Sequence, residues 1–211
     1  MLGIGQRHPV STDWGYERGT PIDRIYIERF LAANAGDVRG TVLEIADAAY
    51  TRRYGGDRVT NSEVLHAVPG NPEATFVGNL ETGDNVPRDR YDCIILTETL
   101  TTMYHMDRAV RNTYEALRPG GVVLVTVSGL GPIDREGRES WGDYWRFTDR
   151  AAERLFADVF GSENVVVGHH GNVLTASAFL YGFAAEEMRA RDFERDDEDH
   201  QVIVTVRAQK N

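Results

Sequence analysis

The stretch that most constrains this 211-residue chain is Tyr91-Asp92-Cys93-Ile94-Ile95-Leu96-Thr97. A near-continuous apolar run of this length predicts a strand covered on both faces, as in a parallel sheet lying between layers of helix. Thr41–Ala46 and Val122–Val127 are shorter runs of similar make-up. Helical patterns alternate with them. Ile22, Ile25, Tyr26, Phe30 and Leu31 keep a helical period to about Ala35, with Thr20 placed to cap, Pro21 at the first position and Asp23 in the first turn. Asp107–Leu117 carries Ala109, Val110, Tyr114 and Leu117 on one face, with Asp107 as its cap and Arg118-Pro119-Gly120-Gly121 as its stop. Shorter strands are predicted at Arg58–Asn61, Ala74–Val77 and Val165–Val167. Tyr50–Gly56 reads as a polar, aromatic turn, too short for a full helix. Thr148 or Asp149 caps a helix to about Phe160, and Val173–Met188 is apolar and helix-compatible. The order predicts an α/β sheet, mostly parallel with right-handed crossovers. Gln201–Arg207 forms a last strand, free to insert antiparallel.

Length favours one domain over residues 1–211. Residues 1–35 would be an arm and helix that can act as a lid, and residues 172–199 a helical insert with an acidic loop. The net charge of −10 argues against a nucleic-acid backbone as main partner, and Lys210 is the only lysine. Cys93 is the one cysteine, so no disulfide can form within the chain, and it reads as a small buried hydrophobe in a protein of the reducing cytoplasm. No apolar run is long enough to span a bilayer or resembles a signal peptide. A homo-oligomer is compatible with the sequence.

In an open parallel sheet, ligands bind outside the carboxyl ends of the strands. Two acids fall near such ends: Glu44 at the first strand, and Glu63 just past the second as bounded above. An acid at the second end can accept hydrogen bonds from both hydroxyls of a ribose. The first turn lacks the glycines of a dinucleotide-binding fold.

Three pieces in order, Val42-Leu43-Glu44-Ile45, Tyr91–Leu96 and Leu117-Arg118-Pro119-Gly120-Gly121, resemble the class I S-adenosylmethionine (SAM)-dependent methyltransferases. The likeness spans about Pro21 to Phe160 and, more weakly, the last strand. The likeness is to the small domains common in glycan and natural-product gene clusters, and Trp141–Thr148 is similar to the D-Y-W-R-F-T segment of glycan-associated members. The family's E-x-G-x-G-x-G is here Glu44-Ile45-Ala46-Asp47-Ala48-Ala49-Tyr50, and the family acid after the third strand is Asn79. SAM has no pyrophosphate to cradle, so alanine in this turn is tolerable, and Asn79 can still hydrogen-bond an adenine.

The resemblance implies a Rossmann-like fold, SAM as cofactor and a small-molecule substrate. Glu63 would bind the ribose. Glu44, Ala46 and Tyr50 would lie by the methionine part, Asn79 and Leu80 by adenine, and Thr97 and Glu98 at the mouth. Arg18, Arg24 and Tyr26 would close over the SAM carboxylate. Methyl transfer to a hydroxyl needs positioning and a base near neutral pKa. His105 is the first candidate and Asp143 the second, its pKa raised by burial among aromatics; His169 and His170 come third. Tyr104, Trp141, Tyr144, Trp145 and Arg146 are the candidate acceptor residues, and no metal site is expected. The leading reading is O-methylation of a sugar or secondary metabolite. Its rivals are another reaction on the same scaffold, such as a cyclisation with SAM retained, and a partner-binding relic.

Overall fold

A computed structural model describes residues 7–135 and 137–211. Seven strands form one sheet in the order β3-β2-β1-β4-β5-β7-β6. They are β1 (Gly40–Ile45), β2 (Val59–His66), β3 (Phe76–Val77), β4 (Tyr91–Thr97), β5 (Leu117–Ser128), β6 (Val165–His170) and β7 (Ile203–Gln209). The helices are α1 (Ile22–Ala33), α2 (Ala49–Gly55), α3 (Met106–Ala116), the single turn α4 (Gly137–Ser140), α5 (Asp149–Phe160) and α6 (Val173–Tyr181). β1 to β5 run parallel, while β7 pairs antiparallel with both β5 and β6. This is the Rossmann-like methyltransferase arrangement expected from the sequence, with the last strand inserted antiparallel.

The apolar run of β4 is buried on both faces because consecutive residues serve two different cores. Ile94 and Leu96 pack with Ala109 and Val110 of α3 and Phe156 of α5. Cys93 and Ile95 pack with Ile22 and Ile27 of α1 and Phe179 of α6. Cys93 is fully buried, and burial pushes its thiol far up, which leaves it an inert core residue. Asp92 ties the strands together at the opposite edge from the site. Its Oδ2 accepts the Thr41 N–H at 2.7 Å and the Arg118 Nη1–H at 3.1 Å. Gly40 makes this approach feasible: it has φ 65°, and a Cβ there would lie 2.3 Å from the same Oδ2.

Several boundaries differ from the sequence reading. β2 is twice as long as predicted, because Val64 and Leu65 continue the pairing with β1 and His66 pairs with Val77 of β3, and Glu63 stands opposite Leu43 inside the strand. Tyr50–Gly56 is mostly helix rather than turn. α2 is held at its start by Glu44, whose carboxylate accepts the N–H groups of Tyr50 at 3.1 Å and Thr51 at 2.7 Å. Side-chain capping across space was not visible in local propensity. Thr20 does not cap α1; its hydroxyl donates to Glu186 Oε1 at 2.7 Å, and Pro21 takes the cap position. His105, not Asp107, precedes α3, and the chain passes from α3 into β5 at Leu117 without the expected stop. Thr148 does cap α5, accepting the Ala151 N–H at 3.2 Å. The insert is α-helical only over Val173–Tyr181, followed by short 3-10 turns at Ala185–Glu187 and Ala190–Phe193. Among the described residues, no helix is long and apolar enough to cross a membrane.

Candidate functional site

The carboxyl ends of β1, β2, β4 and β5 bring Ile45, His66, Thr97 and Ser128 to one edge of the sheet. Three adjoining cavities open there. The first, about 620 Å³, lies between the arm before α1 and the start of α2, and is lined by Tyr16, Arg24, Glu44, Ala46, Tyr50 and Thr97 among others. The second, about 310 Å³, includes Leu65, His66, Asn79, Leu80, Met103 and Trp141. The third, about 300 Å³, includes Trp14, Asp23, Glu98, Ser128, Arg146 and Phe179. Ala46 and Thr97 are shared by the first and second, Glu98 and Thr102 by the second and third, and Tyr16 and Arg24 by the third and first. The cavities therefore meet in a ring around the ends of β1 and β4.

Three residues that line these cavities carry backbone strain. Ala46 has φ 71°, Glu98 has φ 52° and Trp14 has φ 49°, in the left-handed region that costs a non-glycine residue about 1 kcal/mol. Ala46 occupies a position where the family pattern has glycine, and its φ lies in the region that favours glycine. Its N–H donates to Leu65 O at 3.1 Å, and its carbonyl accepts Asn71 Nδ2–H at 2.6 Å, so bonds on both sides hold the turn. Glu44 beneath it is buried. Desolvation pushes its pKa up against the bonds from Thr51 and Tyr50, so its first structural task is to anchor α2. Arg24 reaches over the ring, with Nε–H donating to Tyr16 Oη at 3.2 Å and Nη1–H to Tyr50 Oη at 3.1 Å.

Glu98 is the centre of the electrostatics. Its Oε2 accepts the Ser128 hydroxyl at 2.6 Å, while its buried Oε1 has no partner among the described residues. Burial raises the carboxyl to about 7; Asp23 adds to the rise, and Ser128, Arg24 and Arg146 oppose it. Asn79 sits at the rim of the second cavity with its Oδ1 holding a turn, accepting the N–H of Glu81 at 2.7 Å.

Other expected site residues lie elsewhere. Glu63 is not at a strand end. Its carboxylate is taken by Tyr91 Oη–H at 2.8 Å, Asn61 Nδ2–H at 2.9 Å and the guanidinium of Arg90. Burial would raise its pKa, but the bonds from Arg90, Tyr91 and Asn61 outweigh burial and hold it below the usual range. It lines none of the three cavities, and the second strand closes on His66. Tyr26 is a core residue, 1% exposed, donating to Thr175 Oγ1 at 3.0 Å. Arg18 is paired with Glu187 outside the cavities. His105 is exposed, edge-on to Tyr104 at 5.1 Å, and lines no cavity. Asp143 lines the third cavity, but the expected rise in its pKa is reversed: the hydrogen-bonded Arg146 guanidinium holds it low. His169 and His170 face Asp149 and Asp196 along β6.

The aromatic cluster divides. Trp141 lines the second cavity, edge-on to His66 at 5.0 Å. Trp145 donates its Nε1–H to Met103 O at 3.1 Å and, with the exposed Tyr104 and Tyr144, packs beside the cavities rather than in them. Sequence reasoning missed Trp14, Tyr16, Asp23, His66, Thr102, Met103 and Ser128. Ser128 and His66 are legible by the strand-end rule once β5 and β2 are given their full lengths. The arm residues carried no signal. Among the described residues, no group of three or more His, Cys, Asp or Glu side chains could hold a metal ion.

A family model for a methyltransferase domain matches residues 26–179, nearly three quarters of the chain. The chain belongs to the class I SAM-dependent methyltransferases. No curated protein matches it in sequence. Solved structures share the fold at low identity. A SAM-dependent methyltransferase from Mesorhizobium loti is 14% identical, with 90% of this chain and 98% of that one covered and a TM-score of 0.55. The N-methyltransferase NodS from Bradyrhizobium japonicum, solved with S-adenosyl-L-homocysteine (SAH), is 13% identical, with 95% and 93% covered and a TM-score of 0.53. The [4+2]-cyclase SpnF is 14% identical, with 96% and 86% covered and a TM-score of 0.54. In this methyltransferase the residues at the sheet edge suit SAM: a glycine-like turn at Ala46, a cationic Arg24 in the first cavity, and apolar Leu65, Leu80 and Met103 in the second.

Proposed function

We propose that this methyltransferase O-methylates a small molecule held in the third cavity, with SAM lying across the first two. The observation that carries this reading is the ring of shared residues, which joins two cavities fitted to SAM to a third with different chemistry. In the first cavity Arg24 would pair with the SAM carboxylate, and the strained turn at Ala46 would bring the backbone close. In the second, Leu80 and Met103 would flank the adenine with Asn79 at its edge. His66 would meet the ribose hydroxyls where the family pattern has an acid. When bound, SAM supplies an electrophilic methyl group on a sulfonium.

The third cavity favours an acceptor without negative charge. Asp23, Glu98, Asp134 and Asp143 line it against Arg24 and Arg146, and Asp143 is already neutralised by Arg146. Trp14, Tyr16 and Phe179 add apolar and aromatic surface that suits a sugar ring or a flat secondary metabolite. These features support an uncharged or cationic small molecule over a nucleic acid. The SpnF likeness favours a second reading, a cyclisation in which SAM is held without being consumed.

Mass spectrometry of reactions containing SAM and a library of uncharged phenols and sugars separates the two readings. The proposal expects SAH to accumulate together with a library member that gains one methyl group. Binding of SAM with no SAH formed from any member would contradict methylation and favour the cyclase.

A further inference from the structure

The polar groups around the third cavity differ in whether they have partners. Arg146 uses Nη1 and Nη2 fully: Nη1–H donates to Asp143 Oδ1 at 2.5 Å and Trp145 O at 2.9 Å, and Nη2–H to Pro132 O at 2.6 Å and Asp143 Oδ2 at 3.0 Å. Among the described residues its buried Nε–H has no partner, and Glu98, which uses Oε2 on Ser128, has none for its buried Oε1. One unpaired donor and one unpaired acceptor therefore belong to residues that line the same cavity. Each unpaired buried group is costly, and structures retain such groups where a ligand or water completes them.

The surroundings hold both groups in place. The Glu98 backbone is strained at φ 52°, yet its N–H donates to Thr126 O at 2.9 Å and its carbonyl accepts the Thr101 hydroxyl at 2.7 Å. Strain fixed from both sides in this way marks a functional position. Gly131 adjoins Ser128 and Arg146: a Cβ there would lie 3.7 Å from Ser128 Oγ and 3.9 Å from Arg146 Nε, and would crowd Phe179 Cε1 at 3.2 Å.

We propose that Glu98 and Arg146 form the seat of the acceptor's hydroxyl group, with Glu98 Oε1 taking its proton and Arg146 Nε–H donating to its oxygen. A hydroxyl both donates and accepts, so it satisfies both open positions. An ammonium only donates and would leave Nε–H unpaired. A carboxylate only accepts and would meet Asp23 and Glu98 as like charges. In the reaction the acceptor's O–H bond breaks towards Oε1 as its bond to the methyl carbon forms. The carbon–sulfur bond breaks with its electron pair going to sulfur, which becomes a neutral thioether, and Glu98 then loses the proton to water. The groups facing Glu98 are Asp23 and Arg24 of α1, Ser128 of β5 and Arg146 before α5. Burial among them brings the carboxyl to about 7, the range that suits a base at neutral pH. Glu98 thus takes the role first given to His105 or Asp143, and Arg146 becomes a donor to the acceptor oxygen. The inference rests on the O-methylation reading above.

The test is carbon-13 NMR of protein labelled at its glutamate carboxyl carbons. One resonance should titrate with a midpoint near 7, vanish in Glu98→Gln, and move to higher pH in Arg146→Met, which removes a nearby cation. With SAH bound, phenol should perturb this resonance, and benzoate at the same concentration should not. Calorimetry should give Glu98→Gln a SAM affinity within about threefold of wild type. The inference is overturned if no glutamate titrates above the usual range, if phenol leaves the resonance unmoved, or if Glu98→Gln lowers SAM affinity about tenfold or more, which would make Glu98 a cofactor residue. Failure of the wild type to bind SAM would instead overturn the methylation reading, while the titration of Glu98 would stand.

Discussion

Glu63 and Glu98 are two acids of the same sheet with opposite circumstances. Glu63 lies inside β2, and Arg90, Tyr91 and Asn61 occupy its carboxylate, so its pKa is held down. Glu98 lies just beyond β4, where one oxygen meets Ser128, the other has no hydrogen-bond partner among the described residues, and burial brings its carboxyl to about 7. A carboxylate whose bonds are all made within the protein stabilises the fold and has little left for a ligand. A carboxylate half-satisfied at the edge of a sheet is available for chemistry. What separates the two is the end of a strand, and a shift of a few residues in that boundary changes the role an acid is given.

Substitutions sharpen the contrast. Glu63→Leu leaves the buried Tyr91 hydroxyl without its acceptor and Arg90 without its partner, and should destabilise by about 3 kcal/mol, lowering Tm by roughly 6–12 °C. Because the native pKa of Glu63 is depressed, its contribution is present above the unfolded value of about 4.3 and is lost as pH falls through the native pKa. Thermal unfolding of wild type and variant should therefore converge in acid. Glu98→Gln should act in the opposite sense. The native pKa of Glu98 is raised, so wild-type stability falls as pH climbs from about 4.3 through about 7. At pH 8 the variant should be the more stable by about 3–4 kcal/mol, with the gap closing near pH 4. A Glu98→Gln protein that loses stability at all pH values would show that Glu98 is a structural acid like Glu63. The smallest effect is expected at Ala46, another strained residue. Ala46→Gly relieves a left-handed φ at the expense of a more flexible unfolded chain, for a net gain of about 0.5 kcal/mol and roughly 1–2 °C in Tm.

The fold was legible because its signals were redundant. Tyr91–Thr97 announced a doubly covered strand, the alternation with helices announced a parallel sheet, and both read correctly even with boundaries off by several residues. The site was less legible because it depends on those boundaries. Ending β2 at Asn61 made Glu63 look like a ribose acid, when Val64 and Leu65 carry the pairing with β1 further and His66 pairs with β3. Arg24, Ala46, Thr97 and Asn79 line the crevice, since each adjoins a strand end or the start of the first helix. Tyr26 was misjudged because helical period says which residues share a face, not whether that face meets ligand or core. Asp143 was misjudged because Arg146, three residues on, reverses the effect of burial. The contributions of Trp14 and Tyr16 come from an arm folded across the sheet edge, which no local pattern encodes.

The most direct test of the account is a calorimetric titration of SAM into wild type, Glu63→Gln and Arg24→Ala, with folding of each confirmed. The account predicts that wild type binds, that Glu63→Gln binds with the same affinity within about twofold, and that Arg24→Ala loses about tenfold or more. Loss of SAM binding in folded Glu63→Gln, with Arg24→Ala unaffected, would contradict it.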